Sequence, residues 1–326
     1  MDLSRAEEKL LLQTLRDAAR LCVAVSQDAE ISGLEKDGAG PVTVGDWGCQ
    51  ALVCAALEES FPDDPVVGEE DASKLRDPAN EALVEKTLSH IRAIRPDSPK
   101  ERVFSWIDRG VHEGAVERFW TVDPIDGTKG FLRGDQYATA LALIEGGQVV
   151  LGGLACPNLE LPTPLGTLKG VILLARRGAG TWAYPMEGGA GAQLHVSPEK
   201  DTAQSRFCES WEKAHSAHDH AAQVASHLGI TREPRRMDSQ VKYGVVASGD
   251  AEIYLRLPTR VGYVEKIWDH AAGAIVVEEA GGRASDMYGA PLDFTQGRRL
   301  EKNRGVIVTN GAIHDRVIEA VSTLDL

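Results

Sequence analysis

The sequence predicts a layered αβ protein. Three observations predict it. Apolar helical periodicity and short apolar strands alternate along the chain. A proline-cornered strand end at 119–131 carries paired acids, and two glycine-turn hairpins follow it. No repeats, low-complexity tracts or long linkers interrupt the pattern. With 326 residues, 43% of them hydrophobic, the chain has the length of about two domains. Its formal net charge of −14 argues against a general binder of nucleic acid or anionic membrane. A small phosphorylated substrate stays compatible if cations neutralise the site locally.

The elements are justified in order. Ser4 and Glu7 read as a capping box, followed by Leu10, Leu11, Leu12, Leu15, Ala18, Ala19, Cys22 and Val25 at helical spacing. The spacing predicts a helix to about Ala29, then a polar loop from Gly33 to Gly40. Pro41-Val42-Thr43-Val44-Gly45-Asp46 opens a second helix, with Thr43 and Asp46 as capping residues. Pro65 to Asp71 is a short apolar strand ending in three acids, with Glu69 where buried turns exposed. Ala79 to Ile94 reads as a helix. Arg95 to Gly114 reads as a mobile, charged excursion.

Phe119 to Val122 is a buried strand that Asp123-Pro124 should stop, because proline cannot donate to a ladder. Asp126-Gly127 turns the chain and Thr128 starts a helix. Two carboxylates three residues apart at a stiff corner repel unless a proton or cation sits between them. Mg²⁺, which takes oxygen ligands, suits the pair. Turn chemistry explains the same residues equally well. The amides of Gly127 and Thr128 are placed to face an anion.

Hairpins are predicted across Glu145-Gly146-Gly147 and across Arg177 to Gly180. Gly178-x-Gly180-x-x-Ala183 imitates a dinucleotide fingerprint and is rejected, since Pro185 follows where a helix should run. His215, His218 and His220 have no Cys or His partners at zinc spacing. Asp219 to Leu228 and the stretch from Asp238 are helical, and Ala251 to Leu257 is a strand. Asp269 caps a helix apolar all round and therefore buried, ending at Gly281. A buried cap carboxylate needs a partner. Gly305 to Thr309 is a last strand and His314 to Ser322 a last helix.

Five acids stand at element ends: Asp46, Glu69, Asp123, Asp126 and Asp269. No P-loop, HExxH, nucleophile elbow or zinc spacing competes with them. Carboxylate-held Mg²⁺ without a reactive Cys or Ser implies direct attack of a metal-activated water on phosphorus. The five cysteines, an odd number without a close CxxC pair, read as reduced core thiols. The charged, amphipathic N-terminus shows no signal or transit segment and no apolar run of spanning length, so a cytoplasmic protein is expected. An organellar address would need a transit peptide outside this numbering.

Gly68-Glu69-Glu70, Asp123-Pro124-Ile125-Asp126-Gly127-Thr128 and Trp268-Asp269-His270-Ala271-Ala272-Gly273 resemble the motifs of the inositol monophosphatase superfamily of lithium-sensitive, Mg²⁺-dependent phosphatases. Pro41 to Asp46, Asp126 to Asp135, Cys156-Pro157-Asn158, Asp238 to Tyr243, Tyr254 to Pro258 and Glu265 to His270 resemble its 3′(2′),5′-bisphosphate nucleotidase branch. The resemblance covers nearly the whole chain. It implies an αβαβα sandwich of the sugar-phosphatase type in one compact unit. Residues 1–157 would form an α+β half with most metal ligands, and 158–326 an α/β half with Asp269 and the nucleotide site. It implies two to three Mg²⁺ ions on Glu69, Asp123, the carbonyl of Ile125, Asp126 and Asp269. Asp46, hydrogen-bonded to Thr128, would deprotonate the water, and Gly127 and Thr128 would hold the scissile phosphate. His215, Ser239, Lys242 and Arg256 match positions around the adenosine and its second phosphate, where cations make chemical sense. Asp71 departs from the serine of many relatives and adds charge beside Glu69.

The expected activity is removal of the 3′-phosphate of 3′-phosphoadenosine 5′-phosphate (PAP), and of its sulfated analogue PAPS, as a clearance step of sulfur metabolism. The partner is a small molecule, with no nucleic acid polymer or membrane, and the protein acts as a monomer. The rivals are an inositol (poly)phosphate 1-phosphatase and a non-catalytic nucleotide-sensing protein.

Overall fold

The computed structural model describes residues 5–29, 31–36, 40–211, 218–258, 260 and 262–324, with the side chain of His218 left aside. Ser4, expected as a cap, and His215, expected as a substrate residue, lie outside them.

Helix α1 (Ala6–Ser26) buries Leu11, Leu15, Ala18, Cys22 and Val25 on one face. It ends short of Ala29 because Asp28 is drawn to α3, where it meets Lys86 at 3.0 Å and His90 at 3.1 Å. The expected polar loop is instead a hairpin, β1 (Gly33–Lys36) against β2 (Gly40–Thr43). Its strands lack an apolar run, so pairing alone reveals them. Helix α2 (Val44–Ser60) is buried nearly throughout, and β3 (Val66–Gly68) follows. Then come α3 (Glu81–Ile94) and α4 (Lys100–Asp108). The expected mobile excursion is thus wrong over α4. Its Val103, Phe104, Trp106 and Ile107 are buried, and Trp106 Nε1 donates to Glu58 at 2.8 Å.

Strand β4 (Arg118–Asp126) does not stop at Pro124. Its register against β5 shifts between Asp123 and Asp126, a bulge that tolerates the missing donor. Thr139 Oγ1 donates to the Pro124 carbonyl at 2.8 Å and closes the corner. After the six-residue α5 (Thr128–Arg133) come β5 (Ala138–Glu145), β6 (Gln148–Thr163), β7 (Gly166–Arg176), β8 (Gly180–Pro185) and β9 (Ala192–Leu194). Both predicted hairpins form, and the fingerprint glycines Gly178 and Gly180 sit at a hairpin turn with positive φ. The second half adds β10 (Phe207–Glu209), α6 (His218–Leu228), β11 (Arg235–Arg236), α7 (Val241–Ala247), β12 (Ile253–Arg256), α8 (Ala271–Glu279), β13 (Arg283–Ser285), β14 (Val306–Thr309) and α9 (His314–Ser322).

The seven-stranded sheet runs in order from β3 to β9, parallel only between β3 and β4. The five-stranded sheet has the order β11-β10-β12-β14-β13. Strands of the large sheet are apolar on both faces, as burial between two helix layers demands. Leu141 and Leu143 of β5 join the core under α1 and α2, and Ala140, Ala142 and Ile144 join the core under α7 and α8. A third core packs the small sheet on α6 and α9. The result is the αβαβα sandwich. The expected division at 157 falls inside β6, because strand pairing carries the large sheet on to Leu194. Among the described residues no helix is long and apolar enough to cross a membrane. All five cysteines are buried and free.

Candidate active site

Strand register gathers the acids. Gly68 lies opposite Val122 in the parallel pair, so Glu69 leaves β3 at the level of Asp123. Asp123 and Asp126 straddle the bulge. Glu70, next to Glu69, is the more buried of the two, at 6% exposure. Its backbone N–H donates to Gln50 Oε1 at 3.0 Å, and Gln50 Nε2 donates back to its carbonyl at 2.6 Å.

Asp46 is the third helical residue of α2 and closes a capping box with Thr43. Its Oδ2 accepts from Thr43 N and Thr43 Oγ1, both at 2.7 Å. The expected bond from Asp46 to Thr128 is not formed. Thr128 Oγ1 donates instead to the Ile125 carbonyl at 3.0 Å, since the short turn holds the two within one loop. Burial pushes Asp46 up to about 7, and repulsion from Glu69 adds to it. Burial first, then repulsion from Glu69, Asp126, Asp269 and Asp46, pushes Asp123 well above the carboxylate range. Five acids scattered over the sequence therefore feel one another across a single site.

Protein donors hold most of them. Lys36 Nζ meets Glu69 Oε1 at 2.8 Å and also pairs with Glu70. Both acids raise the Lys36 pKa despite burial. Asp126 Oδ2 accepts from Gln240 N at 2.6 Å. Asp269 Oδ2 accepts from Arg256 Nη2 at 2.9 Å. Buried Asp123 Oδ1 has no hydrogen-bond partner.

Asp269 was expected as the cap of α8. It sits instead in a single 3₁₀ turn (Ile267–Asp269), and His270 is the N-cap residue, its side chain making no bond to the helix end. The guanidinium of Arg256 holds the Asp269 carboxylate away from the helix end. Burial nevertheless pushes Asp269 up to about 7, with Arg256 pulling the other way. Glu265, Asp269 and His270 are the residues whose ligand atoms fall within 4.8 Å of one another among those described. Arg256 lies against that group, and Glu69, Asp123 and Asp126 do not close to such a distance as a set.

Sequence reasoning missed several contributors. Gln240 joins three parts of the site: besides Asp126, it donates through Nε2 to the Trp268 carbonyl at 2.9 Å and accepts at Oε1 from Gly273 N at 3.1 Å. Arg298 donates to the Gly68 carbonyl at 2.6 Å and lies 4.8 Å from the Trp268 ring centroid, clamping the end of β3. Lys36 sat in a stretch taken for loop. Ser239, a predicted substrate residue, has φ of +68°, strained for a non-glycine. It packs on the Gly127 turn: a Cβ on Gly127 would lie 2.9 Å from Ser239 Cβ, and Gly127 itself has φ of +87°. Lys242 is fully buried beside them, 5.1 Å from the Tyr254 ring centroid, and burial lowers its pKa.

The inositol monophosphatase family pattern matches residues 8–326. The chain belongs to the inositol monophosphatase family. It is 44% identical over 337 residues to the 3′(2′),5′-bisphosphate nucleotidase of Schizosaccharomyces pombe, covering 98% of this chain and 96% of that protein. It is 43% identical over 324 residues to the 3′(2′),5′-bisphosphate nucleotidase of Oryza sativa, covering 93% and 90%. Among solved structures, a Thermotoga maritima IMPase superposes with TM-score 0.68 at 22% identity, covering 98% of each chain. An inositol monophosphatase from Anabaena (Nostoc) sp. PCC 7120 does so with TM-score 0.64 at 16% identity, covering 99% and 98%. At those identities the superpositions establish the fold.

Proposed function

We propose that this family member is a Mg²⁺-dependent phosphatase that removes the 3′-phosphate of PAP, giving AMP and inorganic phosphate, and that PAPS enters the same site. One observation carries the reading: mutually repelling acids centred on Asp123 adjoin two cations, the buried Lys242 and the half-buried Arg256. The acids match the phosphate that is cleaved, and the cations match one that is bound and kept. The bisphosphate nucleotidase relatives, similar over nearly their whole length, support the same assignment.

The orphaned Asp123 Oδ1 and the crowding of carboxylates fit a hard divalent cation. Glu69, Asp123, the carbonyl of Ile125, Asp126 and Asp269 would hold two to three such ions. Bound there, Mg²⁺ would neutralise phosphoryl oxygens and acidify water. The chain's own residues supply the rest. The amides of Gly127 and Thr128 face the scissile phosphate at the start of α5. Asp46, poised near neutral pH, takes the proton of the attacking water while Thr43 keeps its carboxylate oriented. As the water oxygen bonds to phosphorus, the phosphorus–O3′ bond breaks; O3′ takes a proton from solvent water and leaves as the hydroxyl, and Asp46 returns its proton to solvent. Ser239 and Lys242 border the turn from the nucleotide side. The five buried free thiols suit a reducing, cytoplasm-like compartment.

The test is phosphate release from PAP and from inositol 1-phosphate, each with Mg²⁺, with EDTA and with Li⁺. Release from PAP that needs Mg²⁺ and is blocked by Li⁺ is expected, and Asp126→Asn should abolish it without unfolding the chain. Release from the inositol ester alone would sink the nucleotide assignment. Survival of activity in Asp126→Asn would sink the metal assignment.

A further inference from the structure

Arg256 is held from behind by a buried chain of hydrogen bonds. Its Nε donates to Glu265 Oε2 at 2.8 Å. The same oxygen lies 3.1 Å from His270 Nε2, and His270 Nδ1 lies 2.7 Å from Tyr243 Oη. His270 and Tyr243 are wholly buried, and Glu265 is 5% exposed. Burial lowers the His270 pKa and keeps the ring neutral, and for a neutral ring one proton arrangement satisfies all of them. A carboxylate accepts and never donates, so His270 carries its hydrogen on Nε2. Nδ1 is then an acceptor, and Tyr243 donates to it. The chain runs in one direction, from Tyr243 through His270 to Glu265, which also receives Arg256.

The residues come from separate elements. Tyr243 lies on α7, His270 heads α8, Arg256 ends β12, and Glu265 lies between. Close helix packing lets the phenol reach: a Cβ on Gly273 would come within 2.4 Å of the Tyr243 ring. The terminal Nη2 of the guanidinium meets Asp269 Oδ2 at 2.9 Å and Tyr263 Oη at 3.4 Å. Arg256 is thus shared by two carboxylates, Glu265 on Nε and Asp269 on Nη2, and its orientation is a balance between them. Glu265 has backing from His270, while Asp269 belongs to the acid site.

We propose that Glu265 is a positioning residue: backed by His270 and Tyr243, it anchors Arg256 through Nε, keeps the guanidinium from closing fully on Asp269 and so holds it for the substrate, and it thereby sets the preference for a substrate with a second phosphate. This rests on the function proposed above. Without the Glu265 charge the remaining ion pair is with Asp269, and the guanidinium turns toward that acid, away from a phosphate bound but not cleaved.

The test compares kcat/KM for PAP with that for adenosine 3′-monophosphate, in Mg²⁺, for the wild type, Glu265→Gln and Tyr243→Phe. The wild type should prefer PAP. Glu265→Gln should reduce the preference about tenfold, mainly through KM for PAP, as loss of a charge-assisted bond predicts. Tyr243→Phe keeps the ring packing and removes one neutral donor, so it should shift the ratio the same way by roughly threefold. It carries the test alone if Glu265→Gln fails to fold. Equal loss on both substrates, or an unchanged ratio, overturns the positioning role while the wild-type preference stands. A wild type indifferent to the second phosphate overturns the proposed function together with this inference.

Discussion

Asp46 at the start of α2, buried, and Asp269 at the start of α8, half-buried, are both carboxylates pushed up to about 7, and they are held in opposite ways. Asp46 is held locally, by the backbone and hydroxyl of a residue three positions back. Asp269 is held from β12, by a guanidinium that it shares with Glu265. Neutral dipoles satisfy the first, and a full charge satisfies the second. The difference teaches that a carboxylate at a helix start is a cap only when the chain geometry brings its own donors. At α2 those donors are present. At α8 the acid stands a residue too early and belongs to a tertiary ion pair.

The comparison can be broken most directly at Arg256. Arg256→Met should cost about 3 kcal/mol of stability, because it leaves buried Glu265 and half-buried Asp269 without their cation. Denaturant unfolding measures it, and a loss below about 1 kcal/mol would mean that water reaches the pair. A milder test uses pH. Both acids have folded pKa values raised from 3.8 to about 7. The folded state therefore binds more protons than the unfolded one in that window, and their contribution to stability is lost as pH rises through it. His314 acts with the opposite sign. Burial lowers it from 6.5 to about 4, so its contribution falls as pH drops through that range. The readout is therefore a difference. In EDTA, Asp46→Asn should flatten the slope between pH 4 and 7 relative to wild type, by about 4 kcal/mol at most. Added Mg²⁺ should shrink the difference, since a cation favours the ionised form. An unchanged slope would mean that Asp46 stays protonated in neither state. The smallest expected effect is Thr43→Val, which removes the cap hydroxyl and leaves the backbone donor. It should cost about 1–2 kcal/mol by thermal unfolding and lower turnover through a loosened Asp46. Stability lost with turnover intact would separate the cap from the chemistry.

Much of this molecule was legible before its structure. The Asp123 to Thr128 corner, the α2 capping box, the apolar α8, both glycine hairpins and the last helix follow from local rules, since proline, glycine, cap residues and periodicity act within a few positions. The missed elements share another physics. The β1–β2 hairpin has no apolar alternation to announce it. Helix α4 looked mobile because its few apolar residues, Val103, Phe104, Trp106 and Ile107, are diluted by charges. Strand β4 was cut short because the bulge that tolerates Pro124 exists only against β5.

By itself the sequence determined the layered αβ class, the acid set and the family resemblance, because these depend on residue type, order and short spacing. Only the tertiary structure decided which donor each acid meets: Lys36 for Glu69, the Gln240 amide for Asp126, Arg256 for Asp269, and no hydrogen-bond donor for Asp123 Oδ1. Those pairings join residues up to 114 positions apart. They are set by strand register and by helices packed between two sheets, neither of which a local stretch of chain can specify.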